Sequence, residues 1–143
     1  MATNKAVLRR HFDEVLNQGR LGVVDEIYAD GYVLDAPVQT DGSVEAHGVT
    51  LGRDGLKRRV TLFRTGFPDI HFSVDRMIAE GDQVAVQYTF TGTQTGQFGD
   101  LPPSARHISV TGILIAQVLD GRIQSALSVF DSGDRMDQLA RIS

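Results

Sequence analysis

The sequence predicts a single α+β domain in which three N-terminal helices pack on one face of a curved antiparallel sheet. Apolar residues recur at helical spacing through the first half of the chain and alternate with period two in the second, with the switch at Pro68. At 143 residues the chain has the length of one domain, and a chain of this size buries a core without staples. No repeat, low-complexity tract or linker divides it, so 1–143 is read as one unit.

The first helix is expected over 5–18. Leu8, Phe12, Val15 and Leu16 share a face, Thr3 or Asn4 can cap the start, and Gly19 supplies the stop. His11 follows Arg9-Arg10 and reads as solvated. A second short helix is expected over 21–29, with Leu21, Val24, Ile27 and Tyr28 on one side. A short strand, Tyr32 to Asp35, follows and ends at Ala36-Pro37. Residues 38–52 are rich in Gly, Asp and Thr without periodicity and read as the longest loop, a candidate lid. The third helix is expected over 53–67, where Leu56, Val60, Phe63 and Phe67 recur before Pro68. Four strands then form an antiparallel meander. Ile70, Phe72 and Val74 alternate in the first, and Gly81-Asp82 turns the chain into the second, with Val84, Val86, Tyr88 and Phe90. A Gly/Pro-rich connection covers 92–105, and a long strand over 106–119 is apolar on both faces around Ile113, Leu114 and Ile115. Asp120-Gly121 is a strong hairpin signal leading into 122–130. A short helical tail is expected around Met136 and Leu139.

Composition narrows the function. The absence of cysteine excludes disulfides, zinc–thiolate sites and thiol nucleophiles. Fourteen Lys+Arg against eighteen Asp+Glu give a net charge of −4, which argues against nucleic-acid binding by phosphate neutralisation. No apolar run approaches the roughly 20 residues of a membrane helix, and the N-terminal segment lacks a signal core, so a cytoplasmic protein is expected. His11, His47, His71 and His107 form no close pair at ligand spacing, and no metal is expected. Gly92, Gly96 and Gly99 do not form a phosphate-binding motif, so no nucleotide cofactor is expected.

The order of elements and several segments resemble the nuclear transport factor 2-like superfamily and, within it, the SnoaL-like polyketide cyclases. The segments are Leu16-Asn17-Gln18-Gly19-Arg20, Tyr28-Ala29-Asp30-Gly31-Tyr32, Phe67-Pro68-Asp69-Ile70-His71-Phe72, Leu101-Pro102-Pro103-Ser104, Asp120-Gly121-Arg122-Ile123 and Ser128-Val129-Phe130-Asp131. The resemblance implies a cone whose sheet curls around a pocket closed by the helices, and a homodimer formed through the outer sheet face. It also implies a cofactor-free enzyme. In the family's aldol cyclases the acid/base aspartate matches Ser128, and a pocket histidine matches Leu114. In the related ketosteroid isomerases a tyrosine falls near Phe12, a carboxylic acid at Leu114 and the base at Ala36, beside Asp35. Limonene epoxide hydrolases also place an aspartate where Ser128 stands. The familiar acid/base groups of these relatives have no counterpart at the matching positions.

If 114 and 128 face the cavity, strand alternation puts Gly112, Leu114 and Ala116 there, with Ala126, Ser128 and Phe130 on the neighbouring strand. This small, apolar lining predicts a cavity of drug-molecule size, unless Phe12, Phe63 and Phe67 fill it. Two carboxylates are candidate proton-handling groups. Asp131 ends the last strand, where its bland reading is a cap of the C-terminal helix; Asp35 precedes Ala36-Pro37, where its bland reading is a turn-initiating Asp. Ser128, Tyr88 and Gln87 are candidate hydrogen-bond donors to a ligand. His71, His107 and His47 read as surface, strand-edge and loop residues. The expected function is a cyclase or isomerase acting on an apolar, oxygenated, polyketide-like small molecule. The alternative is a non-catalytic binding or dimeric interaction module of the same fold.

Overall fold

The computed structural model describes residues 3–40, 43–99 and 101–131, with side chains described throughout except at 36–40, 43–48, 130 and 131. The expected C-terminal helical tail lies outside the described residues, as do Ser132 and Asp134.

Thr3 caps the first helix as expected, its hydroxyl accepting from Ala6 N at 3.1 Å. The helix is not uniform. Regular α1 (Asn4–Arg10) widens into a π-helical segment over His11–Asn17. Gly19, at φ 68°, ends it, and a Cβ there would stand 2.7 Å from Arg64 Nε, so the position needs both the left-handed conformation and the missing side chain. The expected second helix is shorter than its pattern suggests. A 3₁₀ turn, Leu21–Val23, leads into α2 (Val24–Ile27), and the chain is already extended at Tyr28.

The reason is β1 (Tyr28–Thr40), far longer than the four-residue strand expected. Pro37 does not end it. The pairing with β2 steps from Ala36↔Gly48 to Val38↔Glu45, so Pro37 stands opposite two residues of a bulge in β2 and has no regular ladder partner there. The expected loop over 38–52 is likewise corrected, because most of it is strand. β2 (Ser43–Leu51) folds back antiparallel on β1, and that pairing satisfies its backbone. A lid is therefore not part of the described architecture.

α3 (Gly52–Gly66) matches the expected third helix. The four later strands follow: β3 (His71–Glu80), β4 (Gln83–Thr93), β5 (His107–Leu119) and β6 (Arg122–Asp131). Asp120 and Gly121 both have positive φ, 53° and 75°, as a type I′ hairpin requires. The sheet has six strands in the order β2-β1-β6-β5-β4-β3. It is mixed rather than wholly antiparallel, because β1 runs parallel to β6. Register shifts in β1, at Val74/Arg76 and at Gln117/Val118 bend it.

Side chains lock the helices onto this sheet. Asn17 clamps β3 with two bonds, accepting from Phe72 N at 2.7 Å and donating to Phe72 O at 2.9 Å. Arg64 of α3 donates to the carbonyls of Leu16 and Asn17 at 3.0 and 2.9 Å, joining the two long helical segments. Arg53 donates to Tyr28 O at 3.0 and 2.8 Å, fixing the start of α3 to the start of β1. The connection between β4 and β5 is organised by Gln94. It is fully buried, donates to Pro102 O at 3.0 Å and accepts from Ser104 Oγ at 2.7 Å. The apolar core between helices and sheet includes a chain of aromatic contacts from Phe12 through Phe72 and Tyr88 to Phe90. No helix among the described residues is long and apolar enough to cross a membrane.

Candidate functional site

Strand alternation creates an inner and an outer sheet face. In β4 the buried residues are Val84, Val86, Tyr88 and Phe90, and Gln87 lies on the other face. In β5 they include Gly112, Leu114 and Ala116, which alternate with exposed Ile113 and Ile115. Leu114 pairs with Ser128 across the β5–β6 ladder. The helices cover this inner face, and a cavity of about 60 Å³ remains between the two layers. The first helical segment contributes His11, Phe12 and Leu16 to its wall, and α3 contributes Leu56, Arg59, Val60 and Phe63. Tyr32 and Leu34 of β1, Phe72, Tyr88, Phe90, Leu114 and Ser128 complete it.

Five of the residues singled out in the sequence meet in this wall: Phe12, Phe63, Tyr88, Leu114 and Ser128. Two are inward but do not line it. Gly112 is covered by the Tyr88 ring, and a Cβ there would stand 2.6 Å from the Tyr88 hydroxyl oxygen. Ala116 is packed in the core at the far side. The small residues therefore leave less space than expected, because Tyr88 occupies the room beside Gly112 and Phe12 and Phe63 narrow the rest. An engineered apolar cavity of roughly 150 Å³ admits benzene, so the observed space is smaller than a drug-sized site. Phe67 packs elsewhere, against Phe98. Phe130 pairs with Gly112 and Asp131 with Thr111 through the backbone; their side chains lie outside the description.

Asp35 is separated from the cavity. It lies between inward Leu34 and the bulge, on the outer face with Val33 and Leu127. The bulge falls after Asp35, between Ala36 and Val38, and so does not turn it inward. His71 is exposed, and His107 is exposed with Nδ1 3.1 Å from Thr93 Oγ1. The side chain of His47 lies outside the description.

The polar groups that do face the cavity are two of the expected donors, Tyr88 and Ser128, together with Tyr32, His11 and Arg59. Tyr88 and Ser128 share a hydrogen bond between their hydroxyls at 2.6 Å. Burial pushes the Tyr88 phenol up to about 12, with the Ser128 hydroxyl opposing the shift. Burial likewise raises the Tyr32 phenol, so both stay protonated at neutral pH. His11, expected at the surface, is 5% exposed and hydrogen-bonds through Nδ1 with the Tyr28 hydroxyl. Desolvation pushes its pKa down to about 3, so the imidazole is neutral at neutral pH. Arg59 carries a guanidinium into the same wall, 5.1 Å from the Phe63 ring centroid. Among the described lining residues there is no carboxylate. Among the described residues, no group of three or more His, Asp or Glu gathers as a metal site.

Both missed residues had a signal. Leu8, His11, Phe12 and Val15 fall at i, i+3, i+4, i+7, as do Leu56, Arg59, Val60 and Phe63. In each quartet a polar residue occupies a position of the apolar stripe.

The family model for SnoaL-like polyketide cyclases matches residues 6–139. The chain belongs to the SnoaL-like polyketide cyclase family. Solved structures agree with this fold. A protein from Jannaschia sp. CCS1, provisionally described as a SnoaL-like polyketide cyclase, is 25% identical, with a TM-score of 0.77 over 90% of this chain and 85% of that one. IdmH from Streptomyces antibioticus, provisionally described as a polyketide cyclase, is 23% identical, with a TM-score of 0.76 over 91% and 93% of the two chains. AclR from Streptomyces galilaeus, provisionally described as a hydroxylase, is 18% identical at a TM-score of 0.74, covering 96% and 81%. Among curated proteins none matches the chain. Within this SnoaL-like chain, Leu114 and Ser128 lie side by side on adjacent strands in the cavity wall.

Proposed function

We propose that the protein is a cofactor-free cyclase or isomerase that folds an apolar, oxygenated, polyketide-like molecule in the cavity beneath its helices. The observation that carries this reading is the convergence of His11 and the Tyr88–Ser128 hydroxyl pair on one apolar space. The apolar walls hold the substrate with its reacting carbons close together, which removes much of the entropic barrier. Ser128 accepts from Tyr88 and gives its own proton in a hydrogen bond to the carbonyl oxygen under attack. Neutral His11 takes the proton from the carbon between two carbonyls, and the developing enolate favours the imidazolium. In cyclisation that carbon bonds to the polarised carbonyl carbon, whose oxygen receives the proton. In isomerisation the proton returns to a different carbon. Neither route changes the oxidation state of the substrate as a whole. Entry of a ring-sized substrate requires half-buried wall residues such as Leu16 and Phe63 to move aside.

The test is direct. Purified protein is incubated with linear poly-β-ketone thioesters, and products are followed by mass spectrometry against protein-free controls at the same pH. A cyclised or isomerised product formed faster with protein is expected. Tight binding of these compounds without any acceleration would favour the alternative, a binding module. The missing carboxylate in the described wall is the observation that supports that second reading.

The reading includes a homodimer through the outer sheet face. Ile113, Ile115, Leu127 and Val129 are 46%, 42%, 41% and 43% exposed. Ile113 pairs with Val129 and Ile115 with Leu127, so the four form one apolar patch. Light scattering should give twice the chain mass for the wild type and the single-chain mass for Ile115→Glu. A wild-type monomer would remove this part of the reading.

A further inference from the structure

The cations of α3 are not treated alike. Arg53 pairs with Asp30 at 2.5 Å, Lys57 with Asp25 at 3.0 Å, and Arg64 with two carbonyls. Arg58 is exposed to water. Arg59 faces the cavity, and among the described residues its guanidinium makes no hydrogen bond and no ion pair; its near contact is the face of Phe63. Desolvation lowers its pKa, and the phenols of Tyr88 and Tyr32 oppose that shift. Arg59 is half-buried, and a charge partly withdrawn from water is stabilised by a partner of opposite sign. Arginine's planar fork suits two parallel bonds to a pair of oxygens. We infer that the missing partner is supplied by the ligand: the cavity takes an apolar molecule carrying an anionic oxygen, a carboxylate or an enolate, which Arg59 receives while the aromatic walls hold the rest.

This inference rests on the cavity being the ligand site, as proposed above, and narrows its substrates to apolar acids and acidic 1,3-dicarbonyls. A neutral ester or enol ether of the same shape would leave the guanidinium unpaired, which is the basis of discrimination. Tyr32 and Tyr88 lie in the same wall, and both phenols stay protonated at neutral pH, so neither adds a negative charge beside Arg59.

The experiment uses matched pairs. Benzoate is compared with methyl benzoate, and dimedone, ionised at neutral pH, with its O-methyl enol ether, by calorimetry and thermal shift. Wild type, Arg59→Met and the exposed-neighbour control Arg58→Met are compared. The anion of at least one pair should bind wild type and Arg58→Met at least about tenfold more tightly than its neutral partner, and Arg59→Met should lose that preference. The pair that shows it tells carboxylate from enolate. Unliganded Arg59→Met should melt no lower than wild type, since the change removes a half-buried charge without a partner among the described residues and keeps the apolar stem. Equal binding of anion and neutral partner would overturn the inference and leave the ligand-site reading intact. An anion preference that survives Arg59→Met would also overturn it, as would a loss of several degrees in the unliganded variant, which would mean that a group of the chain already pairs with Arg59. No binding by any probe to wild type or variant would remove the ligand-site reading itself.

Discussion

His11→Asn should reduce turnover by about 10²–10⁴-fold, the usual contribution of a positioned acid/base group, while substrate affinity changes little. The same substitution should also flatten the acid limb of the stability curve. The imidazole has its pKa lowered to about 3 by burial, from an ordinary 6.5. The unfolded chain therefore binds a proton between these values that the folded one refuses. Stability from this source is fully present above pH 6.5 and drains away as pH falls towards 3. Its full size is on the order of 5 kcal/mol, of which about half is lost between pH 7 and 4.5. The groups facing His11 do not blur the reading. Tyr28, Tyr32, Tyr88 and Arg59 are phenols and a guanidinium, none of which titrates in that window. Surface carboxylates do titrate there, but the variant shares them. Urea midpoints at pH 7 and 4.5 should therefore fall more for wild type than for His11→Asn. Parallel losses would show that His11 titrates normally, and the imidazole would then not be buried as described.

Gly112→Ala should destabilise the fold by about 1–3 kcal/mol, as overpacking does, and depress turnover with it. The new Cβ would stand 2.6 Å from the Tyr88 hydroxyl oxygen and 2.8 Å from the Val129 carbonyl oxygen. The ring must shift, and its bond to Ser128 is broken or bent. The cause can be isolated by adding Tyr88→Phe, which removes the oxygen in closest conflict. Gly112→Ala should cost less in the Tyr88→Phe background than in wild type, a coupling of about 0.5–3 kcal/mol. Additive losses in chemical denaturation would assign the whole cost to the backbone contact and leave Tyr88 uninvolved.

Much of the site was legible from strand parity. Once 114 and 128 were placed inward, alternation fixed which neighbours faced the core, because a strand has a period of two with no slack. Parity says nothing about volume, however, and the apparent room beside Gly112 belongs to Tyr88 from the next strand, a contact between residues distant in sequence. β2 was unreadable for a related reason. An edge strand needs one paired neighbour and little buried surface, so Ser43–Leu51 shows no clean alternation, with Val49 and Leu51 exposed. Pro37 was read as a terminator because its missing N–H is visible in the sequence, whereas the bulge that tolerates it depends on β2. His11 and Arg59 were hidden by residue type. Each occupies an apolar-stripe position, and only the tertiary packing shows that His11 is enclosed and Arg59 half-buried against the cavity.

The parallel pairing of β1 with β6 ties the beginning of the sheet to its end: Tyr28 lies against Ile123 and Asp35 against Leu127. During synthesis, β1 and β2 can meet as a hairpin soon after they emerge, but β1 has no second neighbour until β6 is made. Ser128 arrives with that last strand. Closure of the sheet thus waits on contacts of high sequence separation, which slow folding, and until then the inner faces of β4 and β5 lack a flank. A nascent chain of this architecture keeps unpaired edges on both β1 and β5 until β6 has been made.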